Sequence, residues 1–368
     1  MISSRLRTGA LLVAVTATSA AGLSVAAPAA AADAWHRPQC GVVEGDGSAT
    51  ITRTDGTLLA RTTANLTPVT YTKLTTLSTP NALVAISKKS IQRSTDAGCS
   101  WRQIGSTGQD LAAYDVTAGP DGTAYAYGVN DQPIYRVEGD TFTTVAGPVS
   151  YDGVVGLAAG PADARVLRAV SKAGQVYDSV DGGTSWAPVG VPVGEDQFLY
   201  KAAIDPTDHD HVVVGTMGAG SFVTFDGGRS WTPSTGAGAT ARSNVFSVAI
   251  SPVDPRTVWL EGYDPSQNDN AARHIWRSTD GGRSFASMLD GAQVTLVNGT
   301  SMWPSPVDPD VLYFEYGTWF GGYGTDLYRY EASTGRLTSQ HNPYDGVASV
   351  AFNPADPRVM YLGLVEER

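Results

Sequence analysis

Four short segments of the chain share one pattern, and their repetition constrains the fold more than any other feature. They are Ser94–Trp101, Ser179–Trp186, Thr224–Trp231 and Ser278–Phe285. Each segment has a hydroxyl residue at its first position, Asp at its third, Gly at its fifth, Ser at its seventh and an aromatic residue at its eighth. This pattern predicts a tight β-hairpin turn, because the Asp carboxylate can accept backbone hydrogen bonds and Gly tolerates a positive φ.

The spacing of these segments reveals further, weaker copies. Their Asp residues stand at positions 96, 181, 226 and 280, so the first gap is about twice the second. A missing copy near position 138 fits Ile134–Phe142, which reads as a strand, a polar turn and an aromatic residue. Thr50–Leu58 and Leu327–Leu337 are hairpins of the same kind. Seven such hairpins are therefore predicted.

A second repeated element, a Pro in a short polar turn between two apolar strands, runs in step with the first. Its Pro residues stand at positions 80, 120, 161, 206, 252, 306 and 354. Two hairpins in each period of about 45 residues make four strands, which is the size of a propeller blade. The sequence therefore predicts an all-β fold, a seven-bladed β-propeller with four-stranded antiparallel blades. Rings of six or eight blades are the alternatives.

The two ends of the chain are predicted to share one blade. The hairpin at Pro354 has no Asp segment after it, and the hairpin at Asp55 has no Pro hairpin before it. The C-terminal hairpin would supply the two inner strands of this blade and the N-terminal hairpin the two outer ones. Such closure removes the exposed sheet edges that an open array would leave.

The repeats resemble the Asp-box (BNR) repeat of sialidases and other β-propellers. Carboxylates that serve their own turn favour a structural role for Asp96, Asp181, Asp226 and Asp280 over a catalytic one. A sialidase resemblance ends at the boxes, since the Arg-Ile-Pro motif of that family is missing. A glycosidase centre could still be formed by two of the carboxylates expected on the face opposite the boxes, which are Glu195, Asp196, Glu261, Asp264, Glu315 and Asp326.

The N-terminus and the composition point to export. Residues 1–32 read as a signal peptide, with Arg5 and Arg7 before an apolar stretch and Ala30–Ala32 as a cleavage site. Residues 33–368 are predicted to form a single propeller domain, secreted and extracellular. The net charge of −11 argues against nucleic acid and anionic membranes as partners.

The only two cysteines, Cys40 and Cys99, are predicted to form a disulfide. An exported chain with an even pair favours one bridge, which would pin the N-terminal segment to the first full repeat. Two free buried thiols are the alternative.

Two insertions enlarge the connections between the second and third strands of blades five and six. They are Gly262–His274 and Tyr316–Asp326. The second carries Trp319, Phe320 and Tyr323, which could contact a protein partner or a glycan. Alternatively, this loop folds over the central channel and buries them.

Metal and cofactor chemistry has little support in the sequence. The five His residues form no HExxH motif, and the segment Thr207–His211 reads as a solvated turn rather than a metal site. Neither a phosphate-binding loop nor a nucleophile elbow is found. No metal and no cofactor are therefore predicted.

The mature chain, from Trp35 to the end, also resembles a family of secreted seven-bladed propellers of filamentous soil bacteria that induce autolysis of a protease. The resemblance implies a non-enzymatic protein whose partner is a secreted, thermolysin-like metalloprotease. It also implies a substrate of transglutaminase, and a monomer unless crosslinked. Exposed glutamines are required for crosslinking, and the candidates are Gln39, Gln267, Gln293 and Gln340. A glycoside hydrolase or a glycan-binding propeller is the alternative function.

Overall fold

The computed structural model describes residues 34–40, 49–54, 58–62, 72–87, 89–107, 114–128, 133–148, 153–194, 197–236, 242–267, 272–318, 323–342 and 345–366. Its strands, in chain order, are β1 (Ala49–Arg53), β2 (Leu58–Thr62), β3 (Lys73–Thr76), β4 (Leu83–Ser87), β5 (Ser90–Ser94), β6 (Arg102–Ser106), β7 (Tyr114–Ala118), β8 (Ala124–Gly128), β9 (Ile134–Glu138), β10 (Thr141–Val145), β11 (Val154–Ala159), β12 (Leu167–Ser171), β13 (Val176–Ser179), β14 (Ala187–Val189), β15 (Leu199–Ile204), β16 (Val212–Thr216), β17 (Ser221–Thr224), β18 (Thr232–Pro233), β19 (Thr235–Gly236), β20 (Asn244–Ile250), β21 (Val258–Tyr263), β22 (Arg273–Ser278), β23 (Ser284–Asp290), β24 (Met302–Pro304), β25 (Val311–Thr318), β26 (Tyr323–Glu331), β27 (Arg336–Asn342), β28 (Asp345–Asn353) and β29 (Asp356–Glu366).

The described strands form seven sheets, which we call blades one to seven. Their strands, from the inner edge outward, are β3 to β6, β7 to β10, β11 to β14, β15 to β18, β20 to β23 with β19, β24 to β27, and β28, β29, β1 and β2. The prediction of an all-β protein with four-stranded antiparallel sheets is confirmed. Among the described residues, no helix has the length and apolar character needed to cross a membrane.

Blade five departs from the four-stranded prediction. Its fifth strand, β19, pairs in parallel with β23, through Thr235 opposite Ser284 and Gly236 opposite Phe285. Gly236 has a φ of 93°, and a Cβ there would lie 2.2 Å from the Phe285 carbonyl oxygen. Only glycine allows the chain leaving blade four to run this close to blade five.

The Pro turn and the Asp box of one blade lie together. The Gly at the fourth position of the box donates its N–H to a carbonyl in the Pro turn of its own blade. Gly182 donates to Arg165 at 2.9 Å, and Gly227 donates to Asp210 at 3.0 Å. Gly281 repeats the contact with Arg256 at 2.8 Å. Both kinds of turn therefore lie at one end of the sheets, the Asp-box face. We call the other end the opposite face.

Blade seven joins the two ends of the chain. Strand β1 pairs with β29 in antiparallel register, with Ala49 opposite Gly363 and Arg53 opposite Val359. The C-terminal hairpin β28–β29 supplies the inner strands, and β1–β2 the outer ones. Inner strands of successive blades are in contact from blade one to blade six, and β28 contacts β25 and β26 of blade six as well as β3 of blade one.

The core lies between neighbouring blades, because alternate side chains of each strand point to the two sides of its sheet. Leu260 and Trp276 pack toward Val213 of blade four. Trp259 and Ile275 pack on the other side, toward Phe314 of blade six. Each interface thus buries apolar side chains from both blades, at about 25 cal/mol per Å² of apolar area removed from water.

The segment before β1 is fixed to blades one and seven. Cys40 and Cys99 form the predicted disulfide, with a Cα–Cα distance of 5.3 Å. The Trp35 indole N–H donates to the Leu77 carbonyl at 3.1 Å in blade one. The Asn353 amide of blade seven donates to the His36 carbonyl at 2.9 Å. The disulfide prediction is confirmed.

Candidate functional site

The Asp-box carboxylates are occupied by their own turns. Oδ1 of Asp96, Asp181, Asp226 and Asp280 accepts the N–H of the Ser four residues later, at 2.9 Å in each case. Oδ2 accepts the hydroxyl of the same Ser at 2.6 Å in each case. Hydrogen bonds from Ser230 and Thr224 lower the pKa of Asp226 to about 2. These atoms therefore have little capacity left for a substrate.

The aromatic insertion of blade six is mostly strand. Trp319 and Phe320 lie outside the described residues. Tyr323 is the first residue of β26, and the structure describes its backbone but not its side chain. A loop was expected over Tyr316–Asp326, but Tyr316 pairs with Asp326 and Gly317 with Thr325. Aromatic and β-branched residues favour an extended hairpin here.

The four candidate glutamines differ in their surroundings. Gln39, Gln267 and Gln293 are exposed. The Gln293 side-chain oxygen accepts the Asp290 N–H at 3.0 Å. Gln340 was expected in a connection, but it lies within β27 opposite Leu327, and its amide donates to the Thr54 carbonyl at 3.1 Å. The strand pairing with β26 and this side-chain hydrogen bond to blade seven both hold Gln340 in place.

Four inner strands carry an irregularity at the same place, near the opposite face. The register between inner and second strands shifts in blades three, four, five and seven. The residues left without a ladder partner are Val155, Tyr200, Phe246 and Ala348. Such bulges re-aim side chains and occur next to functional sites.

Two of these bulges build an aromatic patch, which consists of Phe198, Tyr200 and Phe246. The Tyr200 and Phe246 rings lie 4.8 Å apart, and the Phe198 ring meets Tyr200 edge-on at 5.7 Å. Phe198 is 45% exposed. Lys172 places its ammonium 5.9 Å from the Phe198 ring centre, which is within range of a cation–π interaction.

The inner strands also bring charged groups together, in a central charge cluster of Lys73, Asp115, Tyr127, Lys201 and Glu315. The Lys201 ammonium donates to Asp115 Oδ2 at 2.5 Å, and the Tyr127 hydroxyl reaches the same oxygen at 3.4 Å. Lys73 donates to the Ala348 carbonyl at 2.6 Å. These residues come from blades one, two, four and six.

The surroundings of the two carboxyl groups in the cluster shift their pKa values in opposite directions. Burial opposes the charge of Asp115, but Lys201 and Lys73 outweigh it and lower the pKa of Asp115 to about 2. Burial raises the pKa of Glu315 to about 7, partly offset by Lys73. Burial lowers the pKa of Lys73, while Asp115 overcomes burial and raises that of Lys201. The cluster thus holds an ionised Asp and a Glu that can carry a proton near neutral pH.

Glu261 is a fully buried carboxyl group between blades five and six. Its Oε2 accepts the Gly299 N–H at 3.0 Å, and Oε1 has no hydrogen-bond partner among the described residues. Its side chain points to the same side of β21 as Trp259, which lies in an apolar cluster with Phe314. Burial raises the pKa of Glu261 well above its usual value.

We expect Glu261→Gln to stabilise the protein increasingly as pH rises. The folded state holds Glu261 protonated, whereas the unfolded chain ionises it above pH of about 4.5. Stability is therefore lost as pH rises above the unfolded value, and a neutral amide avoids this loss. Thermal melting should show equal stability of variant and wild type near pH 4 and a more stable variant at pH 8.

Glu138→Gln is the matched control, since the Glu138 side chain is half exposed (50%). Its effect on the melting temperature should be small at both values of pH. A Glu261→Gln effect that does not grow with pH would contradict the assignment of a protonated carboxyl group.

The His-rich turn of blade four is held by protein contacts. His211 Nδ1 lies 3.1 Å from Asp205 Oδ2, and its Nε2 lies 2.9 Å from the Gly281 carbonyl oxygen. His209 Nε2 lies 3.1 Å from the Ala159 carbonyl oxygen. In the described part of the chain, no group of three or more His, Cys, Asp or Glu residues is arranged to hold a metal ion.

One relative matches nearly the whole chain in sequence. Dispase autolysis-inducing protein of Streptomyces mobaraensis is 44% identical over 367 residues, which span 97% of each chain. The chain belongs to the family of dispase autolysis-inducing protein.

More distant similarities describe the fold of this family member. The Sortilin-Vps10 model (sortilin, neurotensin receptor 3) matches residues 174–315. The GH74 xyloglucanase of Xanthomonas campestris aligns at a TM-score of 0.62 and 17% identity, over 82% of this chain and 51% of the enzyme. The chain thus spans about half of that enzyme's length. The Cps50 (Swd1) β-propeller domain of Myceliophteria thermophila aligns at 0.53 and 10% identity, over 80% of this chain and 97% of the domain.

Most residues of the aromatic patch and the central charge cluster are absent from the sequence-based candidates. Of the residues in the central charge cluster, only Glu315 was a candidate from the sequence. Lys73, Asp115 and Lys201 lie far apart in the chain and carry no motif. The available signal was position, because all three fall near the start of an inner strand.

Proposed function

We propose that the protein is a secreted, non-enzymatic binding propeller that promotes the self-degradation of a neutral metalloprotease. The observation that carries this proposal is the 44% identity, over 97% of both chains, to a protein named for inducing autolysis of dispase. The exposed aromatic ring of Phe198 beside Tyr200 and Phe246 supports a binding role, because clustered aromatic side chains anchor protein interfaces.

The proposal includes one closed ring of seven blades. Contacts between the inner strands of blades one to six, and between β28 and the strands β25, β26 and β3, support a ring. The sheet that unites β28 and β29 with β1 and β2 supports closure between the chain ends. Residues 1–32 are proposed as a signal peptide and 33–368 as the mature domain. The Cys40–Cys99 disulfide is in keeping with an oxidising, extracellular location.

The decisive measurement is the lifetime of a thermolysin-like metalloprotease with and without the propeller. We expect intact protease, followed by gel electrophoresis and mass spectrometry, to disappear several times faster in the presence of equimolar folded propeller. The heat-unfolded propeller is the control, since it supplies the same peptide bonds without the binding face. An unchanged protease lifetime at excess propeller would reject the proposal.

A glycoside hydrolase is the second candidate, and the central charge cluster favours it specifically. Glycosidases use two carboxyl groups with different pKa values, one protonated as the general acid and one ionised. Glu315 and Asp115 have such values, about 7 and about 2. Sugar release from a glycan panel that is lost in Glu315→Gln would establish this candidate in place of the first.

The proposed role as a glutamine donor for transglutaminase depends on exposure. Gln39 and Gln267 are supported by their exposed side chains. Gln293 is exposed but accepts a hydrogen bond from Asp290, and Gln340 is the weakest candidate because it lies within β27 and its side-chain amide donates to Thr54 of blade seven. Trp319, Phe320 and Tyr323 are retained as a proposed partner contact on sequence grounds alone.

A further inference from the structure

The buried imidazole ring of His211 joins blade four to blade five on the Asp-box face. Its Nδ1 lies 3.1 Å from Asp205 Oδ2 in the Pro turn of its own blade, and its Nε2 lies 2.9 Å from the Gly281 carbonyl oxygen in the box of blade five. The side chains of His211 and Asp205 are only 4% and 3% exposed. Water is therefore a poor substitute for either contact.

The two neighbours of this ring determine how many protons it carries. A carboxylate and a carbonyl oxygen only accept hydrogen bonds, and a neutral imidazole has a single N–H to donate. Burial opposes the charge of Asp205, but hydrogen bonds from His211 and Thr207 outweigh it and lower the pKa of Asp205, so this carboxyl group supplies no proton. Both contacts are hydrogen bonds at once only when His211 is an imidazolium.

The Pro turn of His211 holds three other titratable side chains, and each has a partner outside the ring. They are Asp210, which binds Arg168 at 2.8 Å, Asp208, which accepts the Asp210 N–H at 3.0 Å, and His209, which lies 3.1 Å from the Ala159 carbonyl oxygen. Burial lowers the pKa of His209, so that ring is neutral near pH 7. Asp205 is therefore the counterion of His211 in this turn.

Blade five also presents charged groups to the joint. The Phe225 ring of blade four stacks on His211 at 4.7 Å, and the Arg283 guanidinium of blade five lies 3.8 Å from the centre of that ring. Two carboxylates of blade five have partners of their own, which are Asp280 with Ser284 and Asp254 with Arg256. Arg283 disfavours a second cation, but it contacts Phe225, whereas Asp205 contacts the imidazole directly. Because electrostatic interactions weaken with distance, Asp205 outweighs Arg283 at the ring.

Other joints between neighbouring blades on this face rely on arginine. The ion pairs are Arg93 with Asp140 between blades one and two, Arg168 with Asp210 between blades three and four, and Arg277 with Asp310 between blades five and six. Arg93 and Arg277 stand three residues before the third position of their Asp box, where blade four has Val223. Arginine stays charged at any pH near neutrality, whereas histidine does not. Of these four joints, the one at His211 therefore has the cation that can lose its charge.

We propose that His211 is a pH-sensitive clasp, which holds blades four and five together as an imidazolium and loses one of its two hydrogen bonds when it deprotonates. The unfolded chain releases the second imidazole proton at a pH of about 6.5, whereas the two acceptors retain it in the folded chain. The contribution of the clasp to stability is therefore complete below a pH of about 6.5 and is lost as pH rises above that value.

NMR of the intact protein with ¹⁵N-labelled histidine tests the proton count directly. The chain has five histidines, and the signal that disappears in His211→Gln identifies the ring. At pH 7 we expect protons on both nitrogens of His211 and on one nitrogen of His209, which is the control from the same turn. A His211 ring with mainly one proton at pH 7 would overturn the proposal.

Asp205→Asn tests the clasp through stability, because it allows both contacts with a neutral ring. The Asn oxygen can still accept the Thr207 N–H, which Asp205 Oδ1 accepts at 2.8 Å. The amide NH₂ group takes the place of Oδ2 and donates to Nδ1, while Nε2–H donates to Gly281. In chemical denaturation at pH 5.5 and pH 8.5, the unfolding constant should rise with pH about tenfold more in the wild type than in the variant, because only the wild type loses a hydrogen bond to a charged group.

Asp163→Asn is the matched control, since Asp163 is exposed in the Pro turn of blade three and its Oδ1 accepts the Arg165 N–H at 2.9 Å. This variant should keep the wild-type dependence on pH. Glu261 contributes the same pH dependence to all three proteins, so it cancels in the comparison. An Asp205→Asn protein whose stability varies with pH as the wild type does would refute the clasp, and if this variant does not fold, the NMR measurement decides. The inference does not depend on the proposed function, because neither experiment contains a protease.

Discussion

Removal of the disulfide by Cys40→Ser with Cys99→Ser is expected to lower the free energy of unfolding by about 4 kcal/mol. The bridge closes a loop across a sequence separation of 59 residues, and it restricts the unfolded chain accordingly. In the folded protein, it also holds Cys40 against the Asp box of blade one. Chemical denaturation without reductant should show the loss directly.

The same measurement on the wild type in reductant is the matched control, and it should reproduce the loss. The cost extends to the ring closure, because the bridged segment contacts both blades at the seam. The Arg37 guanidinium lies 2.7 Å from Asp356 of blade seven, and the His36 N–H donates to Asn81 of blade one at 2.9 Å. A change below about 1 kcal/mol would mean that these contacts alone hold the segment.

Much of the fold could be predicted because its signals are local. A box such as Thr224–Trp231 contains its own hydroxyl, carboxylate and glycine, so the turn is determined within eight residues. Gly227 and Gly228 adopt φ values of 72° and 89°, as a turn rich in glycine requires. The period between boxes then determined where the remaining hairpins lie.

The candidate site could not be predicted to the same extent, since it depends on contacts between blades. Lys201 and Asp115 are 86 residues apart in the chain, and they meet only because the inner strands of blades two and four come within reach of each other past blade three. The bulges at Tyr200 and Phe246 are defined by the partner strand, and a single strand's sequence does not reveal them. Carboxylates such as Glu315 were recognisable as candidates, but their lysine neighbours were not.

Charged residues have different roles on the Asp-box face and near the opposite face. On the Asp-box face, the box carboxylates close their own turns, and some others, such as Asp254, pair with an exposed arginine of the same turn and contribute little beyond it. Near the opposite face, fewer charged groups meet in partly enclosed space, where their interactions are stronger and their pKa values move. Binding chemistry is therefore more readily built on the inner strands than on the repeated turns.

Two arginines that each bind an Asp carboxylate differ in burial, and a matched pair of variants can measure how burial changes their contribution to stability. Arg168 lies on β12 with a side chain only 7% exposed. It donates two hydrogen bonds, of 2.7 and 2.8 Å, to the Asp178 carboxylate. The same guanidinium donates to Asp210 of blade four at 2.8 Å. It therefore joins blades three and four, which no signal within one repeat predicts.

We expect Arg168→Met to lower the free energy of unfolding by about 3 kcal/mol, since it leaves two carboxylates without their cation. This is the lower end of the range for buried pairs, because Asp178 and Asp210 are 34% and 49% exposed and can turn toward water. Arg256→Met is the control: Arg256 binds Asp254 with two bonds of 2.9 Å, but its side chain is 77% exposed. Its loss should cost much less than the loss of Arg168, because water screens an exposed ion pair.

Denaturation of the two variants under identical conditions separates hydrogen-bond geometry from burial. Both arginines make two hydrogen bonds to one carboxylate, so equal losses would show that geometry alone sets their contribution. Addition of Asp178→Asn and Asp210→Asn to Arg168→Met should recover part of the loss, because the uncompensated charges are then gone. If stability falls further instead, the carboxylates contribute through contacts other than the arginine, and blades three and four are held together by those contacts.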